Sequence, residues 1–217
     1  MRATREDIIQ AVLDNKIIVI ARGLEKEQLY KTVEAMQKGG IRMVEVTFDQ
    51  SGKISDAETA ANIRMLCENF GDTMFIGAGT VMSEEQVETA ANAGAQFIIS
   101  PDCYEPVIKK TRELGLVSMP GCLTPTEAAM AHRWGADFVK LFPNSEFKLS
   151  YLKALIAPLS HIKFLSVGGV NENNLCDFID AGACGVGLTG IVNKKLIAEG
   201  KYDEITKLAE LYVSKIQ

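Results

Sequence analysis

The sequence predicts an α/β fold, a single-domain (β/α)8 TIM barrel that spans residues 1–217 and carries an extra N-terminal helix. Short apolar runs alternate with helical patterns along the whole chain, which is typical of parallel β-α units. Glycines separate most of these units at intervals of about 20 residues, the length of one compact strand and helix. No GxGxxG motif follows the first run, so an open dinucleotide-binding sheet is less well supported than a closed barrel.

The strand candidates are short and almost continuously apolar, as strands covered on both faces must be. Eight of them can be identified, enough to close a barrel. They are residues 17–21, 43–48, 74–77, 97–100, 117–119, 138–141, 164–166 and 185–188.

Helical patterns lie between these runs. The clearest are residues 25–38, 84–93, 106–114 and 126–134, and we predict that an additional helix over residues 4–15 closes the bottom of the barrel. Ser83 and Thr124 each stand at an N-cap position, with Gln86 and Glu127 three residues later. These pairs are typical of capped helix starts.

Glycines stand where helices should end, just before the next strand. The left-handed conformation that often ends a helix favours glycine, so we expect it at these positions. They are Gly39, Gly40, Gly71, Gly94, Gly115, Gly135 and Gly182. The longer interval between Gly40 and Gly71 indicates an enlarged loop over residues 49–55.

The composition argues against several classes of function. A net charge of −5 argues against a nucleic-acid surface, and no apolar run has the length of a membrane span. The start of the chain lacks the apolar stretch of a signal peptide, and the five cysteines form no CxxC pair. We therefore expect a cytoplasmic protein with reduced thiols, without nucleic-acid or membrane partners.

Metal chemistry has little support in the sequence. The two histidines, His132 and His161, lack ligand spacing with cysteine, aspartate or glutamate. We therefore expect no metal and no cofactor. The same shortage of a placed histidine argues against nucleophile schemes that need a histidine base.

Lys140 is the most informative residue of the sequence, because it interrupts an apolar strand candidate near its carboxyl end. Barrel enzymes carry their chemistry at this end of the strands. A lysine whose head reaches water is one interpretation. The other is a desolvated amine with a lowered pKa, which could attack a ketone.

Glu45 is a second charge inside an apolar strand candidate, and Thr47 shares its face of the strand. It could be a structural carboxylate paired with a cation such as Lys140, or a base that moves protons. An amine and a carboxylate facing one barrel interior are the minimum for Schiff-base carbon chemistry.

An anion site is indicated by Gly168 and Gly169, which follow the seventh strand candidate. Barrel loops after strands seven and eight often bind phosphate through backbone N–H groups. A plain tight turn is the alternative. Arg22, at the end of the first strand, could supply a cationic partner or be a solvated surface residue.

Together these residues resemble a known family, the 2-keto-3-deoxy-6-phosphogluconate (KDPG) and 4-hydroxy-2-oxoglutarate (KHG) aldolases. The resemblance covers almost the whole chain, from about residue 17 to residue 192. The motifs on which the resemblance rests are Val44-Glu45-Val46-Thr47, Ile76-Gly77-Ala78-Gly79-Thr80-Val81, Ile99-Ser100-Pro101, Met119-Pro120-Gly121, Val139-Lys140-Leu141-Phe142-Pro143 and Val167-Gly168-Gly169-Val170.

The resemblance implies a class I aldolase that cleaves a 2-oxo-3-deoxy-4-hydroxy acid to pyruvate and an aldehyde. Lys140 would form the Schiff base and Glu45 would be the acid and base, acting through a water. Other residues would bind substrate: Thr47 beside the base, Thr80 and Pro101 at the pyruvate, Phe142 as an apolar wall, and Arg22, Gly168, Gly169 and Thr189 at a distal phosphate. The family also implies a metal-free homotrimer, and the Entner–Doudoroff pathway.

The sequence departs from the family pattern at two places. Asp49 occupies a position where some members have an arginine that holds the substrate carboxylate, and Leu188 precedes Thr189 where the family often has glycine followed by serine. The exact substrate therefore stays open between the phosphogluconate, phosphogalactonate and hydroxy-oxoglutarate compounds. A phosphate-binding isomerase or epimerase that uses Glu45, and a non-catalytic binding barrel, are alternatives outside the class.

Overall fold

A parallel sheet forms the centre of the protein in the computed structural model, which describes residues 3–145 and 147–216. Every strand pair recorded in this sheet is parallel. The strands are β1 (Ile17–Ala21), β2 (Met43–Thr47), β3 (Phe75–Gly79), β4 (Phe97–Ile99), β5 (Val117–Met119), β6 (Gly121–Cys122), β7 (Val139–Leu141), β8 (Phe164–Val167) and β9 (Gly185–Leu188). Their spatial order is β5-β4-β3-β2-β1-β9-β8-β7-β6.

The two ends of this order meet at Pro120, which alone separates β5 from β6. Across this junction the N–H of Phe138 donates to the carbonyl of Ser118 over 3.2 Å, and the N–H of Lys140 donates to the carbonyl of Pro120 over 2.9 Å. β5 and β6 therefore share one position around the sheet. The nine strands make eight positions, and the predicted (β/α)8 barrel is confirmed.

Helices cover the outside of the barrel and alternate with the strands. Their bounds agree with the predicted helices to within one or two residues where both exist. They are α1 (Arg5–Asn15), α2 (Lys26–Lys38), α3 (Asp56–Phe70), α4 (Glu84–Ala93), α5 (Glu105–Glu113), α6 (Pro125–Arg133), α7 (Leu149–Ile156), α8 (Leu175–Asp180), α9 (Lys194–Ala198) and α10 (Tyr202–Val213).

The N-terminal helix α1 closes the bottom of the barrel, as predicted. Its buried residues Ile8, Ala11 and Val12 belong to one apolar cluster with side chains of several strands, such as Ile18 and Phe97. A second and larger cluster lies between the sheet and the outer helices. Because the strands are buried on both faces, their apolar runs are continuous.

The helix caps follow from the sequence, with two exceptions. Ser83 accepts from the N–H of Gln86, and Thr124 and Glu127 form a complete capping box. Gly39 and Gly71 were expected to be left-handed, and this prediction is wrong, because their φ values are −80° and −61°. Glycine is required at both positions for space, since a β-carbon would collide with the carbonyl oxygen of Thr206 at residue 39 and with that of Cys67 at residue 71.

The enlarged loop after β2 is also present. The carboxylate of Asp49 accepts hydrogen bonds from the N–H groups of Ser51, Lys53 and Ile54, at 2.9 to 3.0 Å. Across the described part of the chain, no helix is long and apolar enough to cross a membrane.

Candidate active site

Lys140 and Glu45 face one small cavity inside the barrel. Lys140 is the central residue of β7 and Glu45 that of β2, and they are only 6% and 2% exposed. The cavity has a volume of only about 10 Å³ and is otherwise lined by apolar residues and one glycine. These are Ile18, Ile20, Ile99, Leu165, Val167 and Gly187. The two charges that the sequence singled out are therefore brought together in an apolar, poorly hydrated space.

Gly79 makes room for the carboxylate of Glu45. A β-carbon on Gly79 would stand 2.6 Å from both Cδ and Oε1 of Glu45. Any side chain at this position would therefore displace the carboxylate. This explains why β3 ends in glycine, next to the acidic residue of the neighbouring strand.

Neither charge is neutralised by a close partner. Oε2 of Glu45 is buried without a hydrogen bond in the described residues, and Lys140 is absent from the ion pairs found among them. Nζ of Lys140 instead lies 4.4 Å from the centroid of the Phe142 ring. Such a contact favours a cation, but it supplies no proton acceptor.

Burial moves the pKa values of both groups toward their neutral forms. Desolvation raises the pKa of Glu45 above its ordinary value, against the opposing charges of Lys140 and Arg22. Desolvation likewise lowers the pKa of Lys140, assisted by Arg22 and opposed by Glu45. Lys140 is therefore a better nucleophile than an exposed lysine, and Glu45 is a carboxyl that can hold or release a proton nearer to neutral pH.

Thr80, directly after β3, is held in an unusual conformation. Its φ is 55°, which costs a β-branched residue about 1–3 kcal/mol. Two side chains hold it there: Nη2 of Arg22 donates to its hydroxyl over 2.9 Å, and Nε2 of Gln50 donates to its carbonyl over 2.9 Å. Strain of this kind is concentrated at functional sites.

Two more of the predicted substrate-binding residues, Thr47 and Pro101, lie on neighbouring strand ends. Thr47 is buried at the end of β2, in register with Gly79. Pro101 follows β4, and its carbonyl oxygen lies so close to Gly121 that a β-carbon there would collide with it. The loop after β4 is therefore packed directly against the strand that pairs with Lys140.

Gly168 and Gly169 follow β8, both with positive φ, at 104° and 74°. They pack against the segment that follows β7: a β-carbon on Gly168 would lie 3.1 Å from the backbone nitrogen of Asn144. Thr189, the last predicted site residue, is exposed directly after β9. These residues are on the same face of the barrel as the carboxyl ends of β1 and β2.

Two residues near this face were missed by the sequence reasoning. Gln50 holds Thr80 from the enlarged loop. Asn144 is 1% exposed, and its Nδ2 has no hydrogen-bond partner in the described residues. Gln50 and Asn144 are both polar residues in segments that sequence patterns assign to loops, so neither of them stands out in the sequence. The one signal for Asn144 is its position shortly after β7, the strand that carries Lys140.

Comparison with known proteins decides the family. The family model described as KDPG and KHG aldolase matches residues 8–208. The chain belongs to the KDPG and KHG aldolase family. It is 38% identical over 173 residues to the 2-dehydro-3-deoxy-6-phosphogalactonate aldolase of Escherichia coli, covering 79% of this chain and 82% of that protein.

Other relatives agree in sequence and in structure. A 2-dehydro-3-deoxy-phosphogluconate aldolase of Haemophilus influenzae is 29% identical over the full length of both chains. The KDPG aldolase of Legionella pneumophila, solved with pyruvate captured as a covalent carbinolamine, superposes with a TM-score of 0.84 at 26% identity, covering 93% of this chain and 96% of that one. Members of this family are class I aldolases that release pyruvate, and the resemblance stated from the motifs is confirmed.

Proposed function

We propose that this aldolase cleaves 2-dehydro-3-deoxy-6-phosphogluconate to pyruvate and glyceraldehyde 3-phosphate, and 4-hydroxy-2-oxoglutarate to pyruvate and glyoxylate. The observation that carries the proposal is the pair Lys140 and Glu45, buried together around one apolar cavity. It supplies an amine for a ketone and a carboxyl for proton transfer. A binding protein without catalysis has no use for either group in such a place.

The reaction begins at the amine of Lys140. In its neutral form Nζ attacks the C2 ketone, and loss of water gives an iminium. The C4 hydroxyl then gives its proton to Glu45 while the C3–C4 bond breaks. Its electron pair moves toward the iminium to form an enamine, and the aldehyde leaves.

The second half of the reaction reverses the proton transfer. Glu45 returns its proton to C3 through a bound water, and hydrolysis of the resulting iminium frees pyruvate and the amine. The apolar lining keeps bulk water away, so that the charges act in a medium of low polarity. The raised pKa of Glu45 suits a group that must accept and donate within one cycle.

The other site residues bind the substrate in this proposal. Thr47, Thr80 and Pro101 contact the pyruvate part, and Phe142 forms the apolar wall beside the reacting amine. Gly168, Gly169 and Thr189 hold the distal phosphate of the sugar acid. Arg22 binds one of the two anionic ends.

A second candidate substrate is the C4 epimer, 2-dehydro-3-deoxy-6-phosphogalactonate. The observation in its favour is the 38% identity to the E. coli enzyme named for that substrate. The catalytic chemistry is the same for both epimers. Only the walls around C4 and C5 can distinguish them.

The test is a pyruvate-release assay with purified protein on three substrates: the two epimeric phosphates and 4-hydroxy-2-oxoglutarate. We expect kcat/KM to be highest for a phosphorylated compound, with pyruvate released from all that react. Preference for the galactonate epimer would replace the first substrate by the second. Absence of pyruvate from all three, with product formed by isomerisation or epimerisation, would contradict the proposal.

We also propose that the whole chain, residues 1–217, works as one domain within a cytoplasmic homotrimer of the Entner–Doudoroff pathway. The support is the likeness to family members over almost the full length. Light scattering coupled to size-exclusion chromatography tests the trimer. A mass corresponding to one copy of the 23.7 kDa chain would contradict it.

A further inference from the structure

One buried tyrosine lies against both loops that carry the residues proposed at the distal phosphate. Tyr212 is the penultimate residue of α10, belongs to the larger apolar cluster and is only 2% exposed. Its hydroxyl donates to Oε2 of Glu172, in the loop after β8, over 3.0 Å. A β-carbon on Gly190, in the loop after β9, would stand 2.5 Å from the same hydroxyl oxygen. One oxygen atom of the helix layer therefore contacts the two loops at once.

The Glu172 side of this contact is linked to the glycine pair by hydrogen bonds within the loop. Glu172 follows Gly169 by three residues, and the carbonyl of Gly169 accepts from Nδ2 of Asn174 over 2.9 Å and from Nδ2 of Asn171 over 3.3 Å. The N–H of Asn171 in turn donates to Oδ1 of Asn174 over 2.8 Å. Because this segment is one hydrogen-bonded unit, a displacement of Glu172 also displaces Gly169.

The Gly190 side of the contact is linked to Thr189. Gly190 directly follows Thr189, and the N–H of Val192 donates to the carbonyl of Thr189 over 2.9 Å, which closes a tight turn around the glycine. Within residues 3–145 and 147–216, the N–H groups of Gly169 and Gly190 donate to no acceptor. Both loops therefore offer backbone N–H groups of the kind that bind an anion.

We propose that Tyr212 is a positioning residue for the distal phosphate: its hydroxyl holds the loops after β8 and β9 at the separation at which Gly169 and Thr189 bind the same phosphate group. The inference rests on the proposed function and names a residue outside the site on which phosphate binding depends. Tyr212 touches no substrate, and it acts through Glu172 and Gly190.

The hydrogen bond between Tyr212 and Glu172 is assisted by charge. The backbone N–H of Glu172, the Tyr212 hydroxyl and the charge of Lys215 lower the pKa of Glu172, so its carboxylate is ionised at neutral pH. Burial and the neighbouring carboxylate raise the pKa of Tyr212 to about 12, so the hydroxyl keeps the proton that it donates. Such bonds are about twice as strong as bonds between neutral groups. Loss of the hydroxyl would also release a negative charge three residues from Gly169, which weakens anion binding further.

The first test is Tyr212→Phe, which removes the hydroxyl and keeps the ring in the cluster. We expect KM for a phosphorylated substrate to rise about tenfold, while kcat and the pyruvate concentration for half-maximal borohydride trapping stay within about twofold of the parent. The matched control is Tyr202→Phe on the same helix, because the Tyr202 hydroxyl takes part in no hydrogen bond within the described residues. Equal effects of the two variants on KM would overturn the proposal.

The same contact is tested from its other side with Glu172→Gln and Glu172→Ala. Glutamine keeps an oxygen that accepts from Tyr212, so Glu172→Gln should remain close to the parent, whereas Glu172→Ala should raise KM for the phosphorylated substrate as Tyr212→Phe does. A role in folding alone would lower stability in denaturant unfolding and leave the ratio of KM to the half-maximal pyruvate concentration unchanged, and that result would overturn the proposal. If the parent protein itself traps no pyruvate, the proposed function fails, which is distinguishable from an unchanged ratio in an active parent.

Discussion

Two buried groups of charges lie at opposite ends of the same barrel, and they are built differently. At the bottom, the Asp137 side chain is 2% exposed and forms ion pairs with Arg5 and, over 3.4 Å, with Arg112. It also accepts from the N–H of Ser118 over 2.9 Å. At the top, Glu45 has a buried oxygen without a partner in the described residues, and Lys140 faces an aromatic ring.

The difference separates a structural charge from a reactive one. A buried carboxylate that serves the fold has its oxygens occupied by cations and N–H groups, because an unpaired buried charge is costly. The pair at the top is left open where a substrate must enter. The open pair at the top therefore lowers the stability of the fold, and substitutions at the two ends of the barrel should change stability in opposite directions.

Lys140→Met should have the largest effect on catalysis. Since the covalent amine is removed, we expect kcat/KM for pyruvate release to fall by at least ~10³-fold. A steady-state assay against the parent and against Lys153→Met, an exposed lysine on α7, measures this. Retention of activity within tenfold of the parent would show that another group forms the intermediate.

The same Lys140→Met variant should be more stable than the parent at pH 7. The folded-state pKa of Lys140 is lowered below its unfolded value, so the parent loses stability as the pH falls from about 10.5 through the folded pKa. Methionine removes this loss and keeps a similar volume, and we expect a gain of about 1 kcal/mol. Denaturant unfolding at pH 7 checks the sign. A destabilised variant would place Lys140 among the structural charges.

Glu45→Gln should reduce kcat by about 10²–10⁴-fold, the usual contribution of a positioned acid or base. Glutamine keeps the shape of the side chain beside Gly79, so the barrel should remain intact. Pyruvate-release kinetics give the rate, and circular dichroism gives the fold. A variant with full kcat would mean that the carboxylate is not the proton carrier.

Asp137→Asn should mainly affect stability. It leaves Arg5 and Arg112, which are both partly exposed, without their shared counter-charge, and we expect a loss of about 1–3 kcal/mol in the free energy of unfolding. The control is Glu204→Gln, which breaks an exposed pair and should change stability by less than about 1 kcal/mol. If both variants lose the same amount, the contrast between the two ends of the barrel is wrong.

The charges around Lys140 should also shift its titration in opposite directions. Glu45 raises the pKa of Lys140 and Arg22 lowers it. In Glu45→Gln, the midpoint of the pH dependence of pyruvate trapping should therefore move to lower pH, and in Arg22→Met it should move to higher pH. Shifts of the same sign in both variants would contradict the arrangement.

Much of this barrel could be predicted from the sequence, because parallel strands covered on both faces must be apolar throughout. All eight strand candidates are present, and the two charges that interrupt such runs, Glu45 and Lys140, are those that face the cavity. A charge inside an otherwise apolar strand is a strong signal, since its burial needs a reason.

Other features could not be predicted, because they depend on contacts between distant segments. The short strand β6 exists only because β7 pairs with it beyond Pro120. The need for glycine at residue 71 arises from one carbonyl oxygen of the preceding helical turn. Gln50 and Asn144 lie in loops, where residue type and period carry little information about which side chains meet.

The most direct test of the account is borohydride reduction in the presence of pyruvate, followed by peptide mass spectrometry. The account predicts one reduced pyruvate per chain, attached to Lys140, and no adduct in Lys140→Met. Attachment to another lysine in the parent, or an unchanged yield of adduct in Lys140→Met, would contradict the claim that the open, buried amine is the reactive group.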